Sequence, residues 1–310
     1  MDDPTLVRVP FLSGGDGEAV QLAFDIGQLN TITYREIPRN RHGSILGAIG
    51  LPLESILPSM SKIRLSPSRV NDFSNCPQIY KFRVVDKLPE SISLDAERGT
   101  LVHSVLEELF NSSADSRTYQ RAKEILLLEW IGQLERKPDL AQLVLNEKEW
   151  IDRAAALLET YFSLEEPASI EPTSRELHLE MDLSADIYLH GYVDRLDIAP
   201  TGEVRIVDYK TGKAPKPGWE EKALFQLRIY ALIYWRTFGV IPRLLQLMYL
   251  GDGQLIKNTP SEYELHNTEK KLLSIAADIR YAVENEIWIP KPSRLCDWCS
   301  FKSICPAFTD

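Results

Sequence analysis

The chain contains no apolar run of the roughly 18 residues that a membrane span needs. Its longest candidate, Ala223–Trp235, is shorter and is interrupted by Gln226 and Arg228. A basic-then-apolar leader is also missing; the chain opens on Met1-Asp2-Asp3, and a cytoplasmic protein is expected. No phosphate loop of the form G-x-x-x-x-G-K-[ST] occurs. Thr211-Gly212-Lys213 has no earlier glycine at the required spacing, which excludes an ATP motor of that type. Internal repeats and low-complexity tracts are absent. Cysteine is scarce, four in 310 residues, and so is base: 35 Lys and Arg stand against 45 Asp and Glu, a net charge of −10.

A uniform shortage of base would argue against a nucleic-acid partner. The charge is not uniform. Between Glu107 and Asp186 lie 18 acidic and 8 basic residues, which account for the whole net charge. Elsewhere the signs balance, and Lys62–Asp95 and Arg205–Arg228 each carry six bases against four and three acids. These two segments form a plausible nucleic-acid track. Length permits one large domain. Residues 1–60 mix Gly, Pro and polar positions and are set apart as an N-terminal extension. The main domain is taken as 61–310, with a helical insert over 115–170 and a cysteine region at 290–306.

The most informative text is Gly191–Lys213, GYVDRLDIAPTGEVRIVDYKTGK. Two β-branched runs, Tyr192–Ile198 and Val204–Tyr209, flank a turn at Pro200-Thr201-Gly202, which predicts a β-hairpin. If the turn centres on Thr201, Asp194 faces Asp208. Alternation then sets Lys210 on the face of Asp208. Like charges opposed across a sheet repel, and a divalent cation is the natural counterweight. A solvated face with ordinary ion pairs is the alternative.

Companion motifs decide between these. The pattern G-x-x-D-R-x-D followed by D-Y-K-T-G, here Gly191 to Asp197 and Asp208 to Gly212, resembles the RecB-type branch of the PD-(D/E)xK nucleases. Gly99-Thr100-Leu101-Val102-His103 resembles that family's G-x-x-x-H helix. Gln226-Leu227-Arg228-Ile229-Tyr230 resembles its Q-x-x-x-Y helix. The resemblance implies metal ligation of Mg²⁺ or Mn²⁺ by His103, Asp194, Asp208 and the Tyr209 carbonyl. It implies catalytic roles for Asp194, Asp208 and Lys210, with Gln226 and Tyr230 positioning the strand. The implied activity is metal-dependent DNA hydrolysis in repair or recombination, by an exonuclease acting on single strands or DNA ends, with a helicase or recombination partner where unwinding is needed. Tyr80, Lys81, Phe82 and Arg83 could stack and screen such a strand, or be core and rim. The alternative is a non-catalytic DNA-binding or scaffold subunit of a helicase–nuclease or CRISPR-adaptation complex.

Cys296, Cys299 and Cys305 form C-x₂-C-x₅-C, with Cys76 far upstream. In a cytosolic chain this spacing favours a metal site over disulfides. Four thiolates suit either Zn²⁺ or an iron–sulfur cluster. The resemblance implies a [4Fe–4S] cluster that staples the two ends of the domain, shielded by Trp298 and Phe301.

The expected elements from His103 onward are a helix, a helical insert broken at Pro138, three strands, a helix near Trp219–Arg236, a strand and a long final helix. Within them the order α-β-β-β-α-β fits an α/β, restriction-endonuclease-like core: a central mixed sheet flanked by helices, with a cysteine staple at the C-terminal end.

Overall fold

The computed structural model describes residues 62–309; the extension expected at 1–60 lies outside them. Strand β1, Ile63–Leu65, leads directly into α1, Pro67–Asn75. Ser66 ends one and starts the other: its Oγ accepts the Arg69 N–H at 3.3 Å. Pro67 takes the first helical position, where no N–H is required. The chain is extended at Cys76 and resumes as α2, Pro77–Tyr80, which runs into a π-helical turn over Lys81–Val85.

Next come α3 (Leu94–Leu109), α4 (Tyr119–Arg136), α5 (Leu140–Leu143) and α6 (Glu147–Leu164). Ser93, Thr118 and Asn146 cap α3, α4 and α6 through their side-chain oxygens. The expected break at Pro138 falls between α4 and α5. The strands are β2 (Ser174–Ser184), β3 (Ile187–Ile198) and β4 (Val204–Lys210), then α7 (Glu221–Phe238), β5 (Leu244–Tyr249), β6 (Gln254–Asn258) and α8 (Glu262–Asn285). Gly239, at φ 73°, closes α7 in the left-handed conformation that a side chain resists.

All six strands form one mixed sheet in the order β1-β3-β4-β5-β6, with β2 paired to β3. Helices α1, α7 and α8 pack on one face around Leu189, Ile206, Leu232, Leu247 and Leu272. Helices α3, α4 and α6 pack on the other around Val105, Trp130, Leu158, Val207 and Met248. The neighbours Ile206 and Val207 thus serve opposite layers, as strand alternation requires. This is the α/β, restriction-endonuclease-like arrangement expected.

Several expectations need correction. Strands β1 and β6 were not anticipated: three residues are too few to show a period, and β6 is a short edge strand. Leu143 is exposed, and Leu140 fills its place in the core. Tyr80 and Phe82 are buried, stacked on Trp288 and packed against Phe301. Lys81 pairs with Asp86, and Arg83 with Asp72 and Glu90. This aromatic–basic run is therefore core and rim, because the π turn directs its rings inward.

Candidate active site

The site lies where the sheet forks. β2 runs along one edge of β3. The opposite edge is taken by β1 at Ile187–Leu189 and by β4 at Arg195–Ile198. Between them residues 190–194 have no strand partner on that side among the described residues. The ring of Tyr230 from α7 reaches this gap. A Cβ on Gly191 would sit 2.5 Å from Tyr230 Cε1 and 3.3 Å from Pro67 Cδ, so the ring fits only against glycine.

The hairpin register is the expected one: Arg195↔Val207, Leu196↔Ile206, Asp197↔Arg205 and Ile198↔Val204. The ladder stops one step before Asp194 and Asp208, so they are not a bridged pair. Instead Asp194 Oδ2 accepts the backbone N–H of Tyr209 at 2.6 Å. Val193 packs into the α7 layer, whereas Arg195 faces Phe110, Tyr161 and Tyr209 in the other. The strand changes face at Asp194, which leaves that carboxylate free to turn toward the cleft.

On β2, Glu176 interrupts the pairing between Arg175↔Arg195 and Leu177↔Val193. Its φ of 44° is left-handed, a strained state for a residue with a side chain. His103 on α3 stands with Nδ1 3.5 Å from Asp194 Oδ1. His103, Glu176 and Asp194 each offer a ligand atom within 4.8 Å of the others. The sequence analysis did not single out Glu176. An acid on the polar side of a strand is the usual solvated pattern, and only its position opposite Asp194 would have marked it.

Asp208, Lys210, Gln226 and Tyr230 form an adjoining network. Lys210 Nζ lies 2.6 Å from Asp208 Oδ2 and donates to Gln226 Oε1 at 3.1 Å. Gln226 Nε2 donates to Asp208 Oδ1 at 2.9 Å and to the Tyr230 hydroxyl at 3.2 Å. An ammonium only donates and a carboxylate only accepts, so these neighbours fix the orientation of the amide. Thus His103 and Asp194 meet each other, Asp208, Lys210, Gln226 and Tyr230 meet one another, and Tyr209 links the two groups through its N–H.

Charge crowding marks the site. Burial lowers the His103 pKa, but Asp194, Asp208 and Glu176 outweigh it and raise the imidazole to about 9. Burial, then the charge of Asp194, lifts Glu176 to about 7. Asp208 rises to about 6, chiefly through burial, with Asp194 adding to the shift and Lys210 opposing it. Asp208 Oδ2 is buried, and its close neighbour is the Lys210 ammonium at 2.6 Å. Three crowded carboxylates and an imidazole are a donor set that fits a hard divalent cation.

Behind the site, Arg195 is fully buried. Its guanidinium donates to both oxygens of Glu165 at 2.8 and 2.9 Å and to the Tyr209 hydroxyl at 2.9 Å. This ties the end of α6 to the sheet directly beneath Asp194.

The four cysteines are unbridged and line one cavity of about 280 Å³ with Phe82 and Trp298. The Lys291 N–H donates to Cys76 Sγ at 3.4 Å and the Ser293 N–H to Cys296 Sγ at 3.3 Å. All four thiols thus line the same cavity, and two of them already receive amide N–H groups. Of the expected shields, Phe301 is buried against Phe82, whereas Trp298 is mostly exposed.

Residues 64–306 match the model of the PD-(D/E)XK nuclease superfamily. The Gene 69 protein of Mycobacterium phage D29 is 25% identical over 280 residues, covering 80% of this chain and 100% of its own. The Gene 69 protein of Mycobacterium phage L5 is 23% identical over 286 residues, covering 78% and 96%. A solved Eubacterium rectale structure bearing the provisional name exonuclease is 12% identical, with a TM-score of 0.46 over 81% of this chain and 93% of its own. A likeness that distant says nothing of activity.

Proposed function

Because the chain belongs to the PD-(D/E)XK nuclease superfamily, we propose that it is a Mg²⁺- or Mn²⁺-dependent deoxyribonuclease acting on single strands or strand ends, in repair or recombination. The observation that carries this reading is the convergence of His103, Glu176 and Asp194 within 4.8 Å, beside the Asp208–Lys210 pair. These three, Asp208 and the Tyr209 carbonyl are the residues that would hold the ion. Bound there, it would polarise a phosphodiester and lower the pKa of a water.

The chain's own residues then divide the remaining work. Asp208 and Gln226 hold the Lys210 ammonium at the cleft, where it neutralises charge developing on phosphate oxygens. Both ends of the Gln226 amide are engaged within the protein, so it positions Lys210 and Asp208 rather than the strand. Tyr230 accepts from Gln226, which leaves its own proton free to donate to a phosphate.

The test is digestion of end-labelled single and double strands with Mg²⁺ or Mn²⁺. The wild type should cut. Asp208→Ala and Lys210→Met should lose on the order of a hundredfold or more in rate while still binding DNA. A wild type that binds DNA yet cuts nothing with either ion would favour the rival reading, a non-catalytic subunit of a larger helicase–nuclease or CRISPR-adaptation assembly.

The cysteine cavity, about 280 Å³ and lined by all four thiols, has room for a [4Fe–4S] cluster, with a zinc tetrathiolate as the alternative. Anaerobically purified protein should be coloured and contain iron and sulfide, and Cys76→Ser should lose both. Colourless protein containing zinc would reverse the choice.

A further inference from the structure

We propose that the groove between α1 and α7 is the track of a single DNA strand, with Trp219 and Tyr192 as its stacking surfaces and Arg69, Lys213, Lys222 and Lys271 as its phosphate contacts. This rests on the nuclease reading and goes beyond it by naming the surface that selects an unpaired strand.

The groove has a volume of about 1290 Å³ and reaches Lys210, Gln226 and Tyr230, so whatever fills it arrives at the candidate active site. One wall is α1. The other is the start of α7 and the loop before it, with Gly191 and Tyr192 of the forked strand between them. Lys222 Nζ donates to Asn75 Oδ1 at 2.9 Å and ties the two walls together.

The charge of the lining is opposite to that of the protein. Arg69, Lys210, Lys213, Lys222 and Lys271 line it against one carboxylate, Glu221, which is already engaged by Arg228. The chain as a whole carries −10. Its acidic excess lies between Glu107 and Asp186, a stretch that contributes no residue to the lining of the groove. Of the five cations, only Lys210 has a carboxylate within 4 Å among the described residues. Three of the others have uncharged partners: Arg69 donates to the Arg64 carbonyl, Lys222 to Asn75 Oδ1, and Lys271 lies 3.9 Å over the Phe225 ring. Elsewhere the fold pairs its bases readily, as at Arg83, Arg117, Arg205 and Arg236. Four cations left uncompensated along one groove provide the field that phosphates neutralise.

The same groove presents aromatic faces to solvent. Trp219 is 76% exposed and Tyr192 is 55% exposed. Trp219 stands on a built turn: Gly218 at φ 89° turns the chain, and the Trp219 N–H donates to the Lys216 carbonyl at 3.0 Å. Leaving an indole in water has no packing rationale here. A base offers its π-face only when unstacked, so aromatic platforms beside phosphate contacts select single strands over duplex interior.

The test uses the full chain with a fluorescein-labelled 30-mer of deoxythymidine, in the absence of divalent ions, over a range of salt. Trp219→Ala should weaken binding roughly 5- to 100-fold, and Trp219→Phe should restore most of it. Lys213→Gln and Lys222→Gln should each lower the salt slope by about 0.7. Circular dichroism and melting should be unchanged, because Trp219 is exposed. Hydrolysis of bis(p-nitrophenyl) phosphate, too small to use the groove, should survive Trp219→Ala. If the wild type hydrolyses neither this ester nor DNA, the nuclease reading fails while the binding result stands on its own. If Trp219→Ala and the double variant with Tyr192→Ala bind the 30-mer as the wild type does, the track is wrong. Equal dependence on Trp219 for a closed circular duplex would overturn single-strand selection. Weakening confined to a ribo-oligomer would overturn DNA as the occupant.

Discussion

Glu176 stands opposite Asp194 across the β2–β3 pair, at a step where the ladder on either side is bridged and this one is not. Glu176 adopts a left-handed φ, and the course of β3 changes face at Asp194. Two like charges are thus set against each other with His103 beside them. The repulsion is offset in the ion-free protein by the His103 proton and would be offset by a divalent cation between the carboxylates. On the proposed reading, fold stability and ion binding are coupled at this pair.

Replacing Glu176 with Gln should separate the two effects. Without divalent ion the variant should melt roughly 2–4 °C higher at pH 8, since a charge opposed to Asp194 is gone. With Mn²⁺ the order should reverse, because the wild type gains stability by mass action and the variant gains less. Scanning calorimetry with and without Mn²⁺ measures both. A variant that melts like the wild type in both conditions would show that the pair is not a ligand set.

The pKa shifts set the pH dependence. His103 is raised to about 9. Its charge therefore stabilises the ion-free fold fully below about pH 6.5, and that contribution is lost as the pH rises through 9. Glu176 and Asp208, raised to about 7 and 6, also favour their protonated forms in the fold. They add destabilisation as the pH climbs from the ordinary carboxyl range to those values. An ion must displace these protons, so the apparent Mn²⁺ affinity should rise on the order of a hundredfold between pH 6 and 8. Titration calorimetry in buffers of different ionisation enthalpy counts the protons released. In His103→Asn the slope should flatten.

Arg195 carries a structural prediction. It is fully buried, with Glu165, Asp197 and Tyr209 arranged around its fork. Arg195→Met would leave Glu165 and Asp197 with Arg205 as their one remaining cation, at a cost of about 3 kcal/mol. Arg195→Lys keeps the charge but not the bidentate geometry and should recover less than half. Urea midpoints at constant slope report the difference.

The features legible in the sequence were those set by local chemistry. The turn after Ile198 fixed the hairpin register, so four bridged pairs could be placed by counting. Ser66-Pro67 marked a helix start and Pro138 a helix break because capping and ring closure act on immediate neighbours. Glu176 was not legible, since nothing in Arg175-Glu176-Leu177 signals a left-handed φ; that conformation is imposed by the strands around it. The groove was obscured by the acidic stretch Glu107–Asp186, whose charge equals the total yet supplies none of the groove's lining. Tyr80 and Phe82 misled for a related reason: an aromatic–basic alternation looks like a stacking surface until a π turn directs the rings into the core.

Gly191 offers a test of the fork itself. Its missing Cβ is the space occupied by the Tyr230 ring, which a methyl group would meet at 2.5 Å. Gly191→Ala must push the ring aside, at a cost of about 1–3 kcal/mol. The displaced hydroxyl would no longer receive the Gln226 amide, so the orientation of Lys210 and Asp208 would loosen as well. Cleavage should fall about tenfold or more, while Mn²⁺ binding should weaken less, because of the ligands only Asp208 is tied to the ring through Gln226. In the Tyr230→Leu background the alanine has less to displace. The double variant should then be nearly as stable as Tyr230→Leu alone, a coupling of about 1 kcal/mol or more, but no more active. Should Gly191→Ala by itself leave both the urea midpoint and the cleavage rate where they were, the gap in β3 would not confine Tyr230, and the link from the forked sheet to the catalytic network would be broken.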